Sequence, residues 1–116
     1  MDYKFINTEY LNSVAGGDRD ITYEIIKMFN EQTVEVYGEM KSLLASGKYH
    51  LLGLLAHKAK SSVAIMGMND LAVMLKTFEL QAKEAKETDL YESYIERFKS
   101  DTDFAIIELD DYKSKL

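Results

Sequence analysis

The feature that most constrains the fold of this chain is the helical spacing of its apolar residues, which no proline interrupts. Apolar side chains recur every three to four positions along four long stretches, and none of the 116 residues is proline. Proline inside a helix removes a backbone hydrogen bond and clashes with the preceding turn, so its absence favours long helices. No segment has the period-two alternation of a half-buried strand. The sequence therefore predicts an all-α fold.

Start and stop signals divide the chain into one short helix and four long ones. The predicted segments are residues 9–15 after Thr8, a stripe of about 25 residues from Ile21 after Asp18 or Asp20, Lys48 to Met66 closed by Gly67, a stripe from Leu71 to Ala85 after Asn69, and a last helix from Thr88 or Asp89 to Tyr112. Connections this short predict an up-down antiparallel four-helix bundle with a short extra N-terminal helix. The length fits one domain, residues 1–116.

Composition excludes several classes of function. The chain has no cysteine, which rules out disulfides, thiolate metal sites and cysteine catalysis. No window approaches the 18 apolar residues of a membrane span, and the N-terminus lacks the apolar run of a signal peptide. We therefore expect a cytoplasmic protein, and a start at Met1 without a linker favours a free-standing one. The net charge of −6 argues against nucleic acid as a partner.

The charges are unevenly distributed along the chain. From Met40 to Asn69 there is no aspartate or glutamate, although four lysines and both histidines lie there. The other segments carry all 20 acidic residues and only 10 of the 14 basic ones. This stretch predicts a local positive zone that would attract a phosphoryl group or a partner whose site is built of carboxylates.

The histidine of the third predicted helix lies away from the apolar stripe of that helix. Plotted at about 100° per residue, His57 falls roughly 200° from Leu55, a member of the stripe. Its neighbours one turn away are Gly53 and Ser61, and Ala64 lies two turns on. Because these neighbours are small, we expect the imidazole to be exposed and accessible to a second protein.

An accessible imidazole beside lysines suits phosphoryl transfer. A neutral imidazole is a good nucleophile near neutral pH and can form a covalent intermediate. Lys60, one turn on, can bring a positive charge to an anion on the ring, whereas Lys58 lies toward the flank of the core stripe. Leu54 and Ile65 lie beside the histidine face, either in a docking surface or at the edge of the core. His50, about two turns earlier, is either a second acceptor or a polar residue near the helix start.

The segment His57-Lys58-Ala59-Lys60-Ser61-Ser62, with Gly67 ten residues after the histidine, resembles the signature of histidine-containing phosphotransfer (HPt) domains. That signature is His-x-hydrophobic-Lys-Gly-small, followed by hydrophobic-Gly. Ser61 stands where the family usually has glycine, and Ala59 where it usually has a larger apolar residue. The resemblance covers most of the chain, and the further positions that carry it are Leu11, Gly16-Gly17-Asp18, Phe29, Leu71, Met74 and Phe78-Glu79.

The resemblance implies a phosphorelay intermediate, a phosphocarrier rather than an enzyme with its own turnover. His57 would accept a phosphoryl group from the aspartyl phosphate of a response-regulator receiver domain and pass it to another receiver, while Lys60 neutralises the phosphate. A hybrid histidine kinase is a further candidate partner. We expect a monomer without a cofactor, since Mg²⁺ would belong to the receiver. The residues expected to face the partner are Gly53, Leu54, Lys58, Ser61, Ala64 and Ile65.

Other functions fit the sequence less well. A carboxylate-bridged metal site needs Glu-x-x-His pairs on facing helices, and the sequence has none. A Ser-His-Asp hydrolase needs an oxyanion-hole loop or a nucleophile elbow, and no such motif is visible. A non-catalytic helical adaptor, which docks receivers or other partners without phosphotransfer, would share the fold and the exposed surface but would not need His57. Phosphorylation separates this alternative from the relay.

Overall fold

A computed structural model describes residues 2–116, which form five α-helices and no strand. The helices are α1 (Thr8–Val14), α2 (Arg19–Ala45), α3 (Tyr49–Ile65), α4 (Asn69–Lys83) and α5 (Tyr91–Ser114), and a short 3₁₀ turn, Thr88–Leu90, leads into α5. The prediction of a short N-terminal helix followed by four long helices packed together is confirmed.

The four long helices surround one core. Helix α3 packs against α2 and α4, and α5 packs against the same two helices from the other side. Helix α2 has 27 residues and, at about 1.5 Å per residue, nearly matches the 43 Å long axis of the molecule. Within residues 2–116, no helix is both long and apolar enough to span a membrane. The largest fully buried side chains include Tyr91, Phe78, Phe98, Leu11, Ile26, Met40, Leu52 and Leu75.

Asn7, rather than the predicted Thr8, caps α1. Its side-chain oxygen accepts a hydrogen bond from the backbone N–H of Tyr10 at 3.0 Å. The backbone N–H of Asn7 donates to the carbonyl of Met66, at the end of α3, at 2.9 Å. Gly67 has a φ of +75° and lies so close that an added Cβ would be 2.5 Å from the Cβ of Asn7. The N-terminal segment is therefore anchored to the turn that follows α3, where glycine is required.

The other helix starts lie close to the predicted ones, with two differences: the predicted start of α5 falls in the 3₁₀ turn that precedes that helix, and the start of α4 is displaced by one residue. Asp18 caps α2 as predicted, because its side chain accepts a hydrogen bond from the N–H of Ile21 at 3.1 Å. Asn69 is the first residue of α4, not its cap, and Met68 takes the preceding position. The carbonyl of Met68 accepts the hydrogen bond from the N–H of Ala72 at 3.0 Å, which places the start of α4.

The connection between α4 and α5 contains strained backbone. Ala85 has a φ of 53° and Glu87 a φ of 55°, in the left-handed region that favours glycine. The inclusion of Ala85 in the apolar stripe of α4 is wrong, since α4 ends at Lys83 and Ala85 is exposed. A left-handed conformation costs an L-residue about 1–2 kcal/mol, so this turn reduces the stability of the folded protein.

We expect Ala85→Gly to stabilise the protein by about 0.5–1 kcal/mol, because glycine adopts a positive φ without the steric cost of Cβ. Thermal unfolding should show a midpoint a few degrees higher. Ala64→Gly is the matched control, because Ala64 lies in the last turn of α3, where the right-handed helical backbone favours alanine over glycine by up to about 1 kcal/mol. Destabilisation by Ala85→Gly would contradict the left-handed assignment of this turn.

Candidate functional site

His57 lies on the exposed face of α3, as predicted. Its side chain is 56% exposed, whereas Leu55 and Ala59 on the same helix are buried in the core. The helix turns these residues to opposite sides because they are separated by about half a turn. The prediction that the imidazole is exposed is confirmed.

Helix α4 supplies the group that orients the ring. The Nδ1 atom of His57 lies 3.0 Å from Oε1 of Glu79, whose side chain is only 3% exposed. An ionised carboxylate can only accept hydrogen bonds, so Nδ1 must carry the proton and donate it. We infer that an imidazole with one proton keeps its lone pair on Nε2, on the opposite edge of the ring.

Glu79 is held in its ionised form by lysines from its own helix. The Nζ atom of Lys83 donates to Oε2 at 2.7 Å, and Nζ of Lys76 lies 3.7 Å from Oε1. The hydrogen bond from Lys83 is the largest cause that lowers the pKa of Glu79 to about 2; burial opposes it, and His57 lowers the pKa further. The carboxylate is therefore charged at neutral pH, which fixes the proton of His57 on Nδ1.

Gly53 allows α3 and α4 to approach closely at this site. A Cβ added to Gly53 would lie 3.0 Å from the carbonyl oxygen of Glu79 and 3.0 Å from the backbone nitrogen of Lys83. Gly53 is buried, so the expectation that it faces a partner is wrong. The physical reason is that α4 packs on this side of α3, which a projection of α3 alone cannot reveal. Gly53 lies one helical turn before His57. Because it has no side chain, the backbone of α4 at Glu79 can contact α3 there.

The other predicted site residues lie on α3 around His57. Leu54, Lys58, Ser61 and Ile65 are exposed, as a docking surface requires, and Lys60 and Ala64 are half-buried. His50 is also exposed. The roles assigned to these residues stay predictions.

A shallow apolar groove lies beside Ile65, between α2 and α3. It has a volume of about 80 Å³ and is lined from α2 by Ile25, Met28 and Phe29. Gln32 closes one side, where its Oε1 accepts a hydrogen bond from the hydroxyl of Ser62 at 3.2 Å. Met28 is about half exposed, so the apolar surface continues from α3 onto α2.

No protein-family model matches the chain. Searches of the curated proteins and of the solved structures find no match either. The site consists of an exposed imidazole, a buried carboxylate and the lysines that this carboxylate holds. Within residues 2–116, no three histidine, aspartate or glutamate side chains come together to hold a metal ion.

The residues that α4 contributes to the site are not predicted from the sequence, although the sequence contains a signal for them. Glu79 falls on the buried face of α4, four residues after Leu75, where an apolar side chain would be usual. Lys76 and Lys83 lie three residues before it and four after it, which are the spacings of ion pairs on a helix. A buried glutamate flanked by lysines in this way indicates a carboxylate that needs polar partners, because a buried charge is costly without them.

We expect Glu79→Gln to destabilise the protein by about 2 kcal/mol at pH 7, because it removes charge-assisted hydrogen bonds at a buried position. The pKa of Glu79 is lowered on folding from 4.5 to about 2, so the stabilisation is complete above pH 4.5 and is lost as the pH falls toward 2. Urea unfolding at several pH values should show the two proteins converging over that interval. Glu84→Gln, which removes an exposed ion pair with Lys86, is the control and should change stability little at any pH. A difference that stays constant down to pH 2 would contradict the role of the Glu79 charge.

Proposed function

We propose that this chain is a phosphorelay intermediate of the HPt type. In this proposal His57 accepts a phosphoryl group from the aspartyl phosphate of a receiver domain and passes it to a second receiver. The observation that carries the proposal is the exposed ring whose Nδ1 is bound by a buried, ionised carboxylate. This arrangement leaves the nucleophilic lone pair on Nε2, at the edge of the ring away from Glu79.

The transfer needs no proton movement at the ring. The Nε2 lone pair attacks phosphorus in line and forms a P–N bond, while the P–O bond to the aspartate of the receiver breaks. The leaving carboxylate takes the electron pair of that bond. The Nδ1 proton stays in its hydrogen bond to Glu79 throughout. The receiver supplies the Mg²⁺ and most of the charge stabilisation, so this chain contributes a nucleophile in a fixed orientation.

Glu79 favours the product of this step. When Nε2 becomes bonded to phosphorus while Nδ1 keeps its proton, the ring gains a positive charge. A carboxylate at 3.0 Å from Nδ1 stabilises that charge, and it has already been oriented by Lys83 before the reaction. The same pairing keeps the ring a good leaving group for the return transfer, because a ring that holds its Nδ1 proton leaves as neutral imidazole, whereas a ring without that proton would have to leave as imidazolate.

The surface around His57 supports docking of a receiver. Leu54 and Ile65 are exposed, and the groove beside Ile65 adds Met28 from α2. Lys58 lies exposed among them. Receiver sites are built from carboxylates, so an apolar surface that carries lysines complements them in charge as well as in contact. A docking adaptor without chemistry would use this surface too, but it would have no need of the His57–Glu79 pair.

The test of the proposal is transfer from phosphorylated receivers. Receiver domains from the same cell are charged with ³²P-labelled acetyl phosphate and Mg²⁺, freed of excess donor, and mixed with the chain. We expect label to move to the chain within minutes and to be lost in acid but kept in alkali, as a P–N bond requires. Receivers that bind the chain without transferring label would instead support the adaptor.

A further inference from the structure

Lys76 is the more loosely held of the two lysines at Glu79. Its Nζ atom lies 3.7 Å from Oε1, beyond hydrogen-bond length, and its side chain is 49% exposed. Lys83, in contrast, donates to Oε2 at 2.7 Å. Lys83 is therefore the fixed partner of the carboxylate, whereas Lys76 is retained by charge and can move at little cost.

Lys76 shares its carboxylate oxygen with the histidine. The same Oε1 atom that lies 3.7 Å from Nζ of Lys76 accepts the hydrogen bond from Nδ1 of His57 at 3.0 Å. The ammonium, on a flexible stem of four carbons, thus faces the same carboxylate oxygen as the imidazole. Nε2 belongs to the same five-membered ring as Nδ1, and the stem of Lys76 can rotate about each of its bonds, so we expect the ammonium to reach phosphoryl oxygens on Nε2.

We propose that Lys76 is a catalytic residue of the phosphoryl transfer, whose ammonium leaves Glu79 and contacts the phosphoryl group on Nε2 of His57. This inference rests on the proposed function. It differs from the prediction for Lys60, which would approach the phosphoryl group from α3. Lys76 approaches from α4, so the anion would be met by cations from two helices.

An exchange of counter-ions drives the movement. Before transfer, Glu79 carries one negative charge and is faced by two ammonium groups and by the Nδ1–H group of His57. After transfer, the ring that donates to Oε1 is cationic, so it replaces Lys76 as the positive charge nearest to this oxygen. A phosphoryl group with up to two negative charges is then bonded to Nε2. The Lys76 ammonium is repelled by the new charge on the ring nitrogen and attracted by the phosphoryl oxygens. No bond to Lys76 forms or breaks in this exchange.

The experiment uses phosphoramidate as the donor, so that docking of a receiver does not enter the rate. Formation of phosphohistidine on the full chain is followed by ³¹P NMR. We expect wild-type protein to react at His57, Lys76→Gln to react about tenfold more slowly, and Lys76→Arg to recover most of the rate. Lys27→Gln is the control, since Lys27 is an exposed lysine on α2 that takes no part in the site, and it should react at the wild-type rate.

A second readout reports contact with the phosphoryl group itself. An ammonium beside the phosphoryl oxygens favours their dianionic form, so the ³¹P titration of phosphorylated Lys76→Gln should be displaced to higher pH than that of wild type. A wild-type rate and titration in Lys76→Gln would overturn this inference while phosphohistidine at His57 still upholds the proposed function. Absence of phosphohistidine from the wild-type protein would contradict both.

Discussion

His57→Gln should abolish phosphoryl labelling by a phosphorylated receiver and leave the protein folded. Glutamine has no nucleophilic ring nitrogen, and its amide fits an exposed position without disturbing the core. The Glu79 carboxylate keeps Lys83 as a partner in the variant, so no buried charge is left unpaired. Labelling should fall by at least a thousandfold, with an unchanged circular dichroism spectrum.

His50→Gln provides the matched control for that result. His50 is exposed on the same helix, about two turns before His57, and receives the same substitution. We expect this variant to be labelled at the wild-type rate. Label that persists in His57→Gln and disappears in His50→Gln would move the acceptor site to His50.

Gly53→Leu should destabilise the protein by about 3 kcal/mol. Even a Cβ at this position would lie 3.0 Å from two backbone atoms of α4, and the longer side chain cannot be accommodated unless α3 and α4 separate. Separation would also draw Glu79 away from His57, so phosphoryl transfer should slow in the fraction that remains folded. Chemical denaturation gives the stability, and the labelling assay gives the transfer rate.

Gly38→Leu is the comparison that isolates this packing effect. Gly38 lies within α2, and outside its own stretch of that helix an added Cβ would meet no atom of residues 2–116 within 4 Å. Because leucine favours a helix over glycine by up to about 1 kcal/mol, the substitution should stabilise α2 slightly. Equal effects of the two substitutions would contradict the close α3–α4 contact at Gly53.

The sequence predicts the fold well because each long helix needs one buried stripe. The stripe of α5 illustrates this, since Tyr91, Ile95, Phe98 and Leu109 are all buried as their spacing indicates. Helix ends are less well predicted, because caps depend on neighbours from other parts of the chain. Asn7 caps α1 where its own N–H can also reach the carbonyl of Met66, a contact that the local sequence does not encode.

The candidate site is predicted only in the part that lies on a single helix. The exposure of His57 follows from its angle to Leu55 along α3. The partner of its Nδ1 comes from α4, 22 residues later, and depends on how closely two helices approach. Gly53 sets that approach, yet on a projection of α3 alone it resembles an exposed small residue. Side-chain pairs between helices can therefore be identified only from the structure, even where the sequence indicates a buried acidic residue.

Acidic and basic side chains are unevenly distributed over the helices of the fold. The segment from residue 40 to residue 69, which lacks acidic residues, comprises the end of α2, all of α3 and the turns that flank it, and two of its four lysines lie within three residues of His57. Acidic side chains are concentrated on α2 and α5, which pack against each other. The resulting asymmetry favours the approach of a carboxylate-rich partner to the face formed by α3 and α4, and association should weaken as salt is added.

The position of the phosphorus atom after transfer tests the central claim most directly. Protein labelled with ¹⁵N in its histidine rings is phosphorylated by a charged receiver, and one-bond ¹⁵N–³¹P coupling identifies the bonded nitrogen. We predict coupling at Nε2 of His57, with Nδ1 protonated and bound to Glu79. Coupling at Nδ1, at His50, or at no histidine in protein that binds the receiver would contradict it.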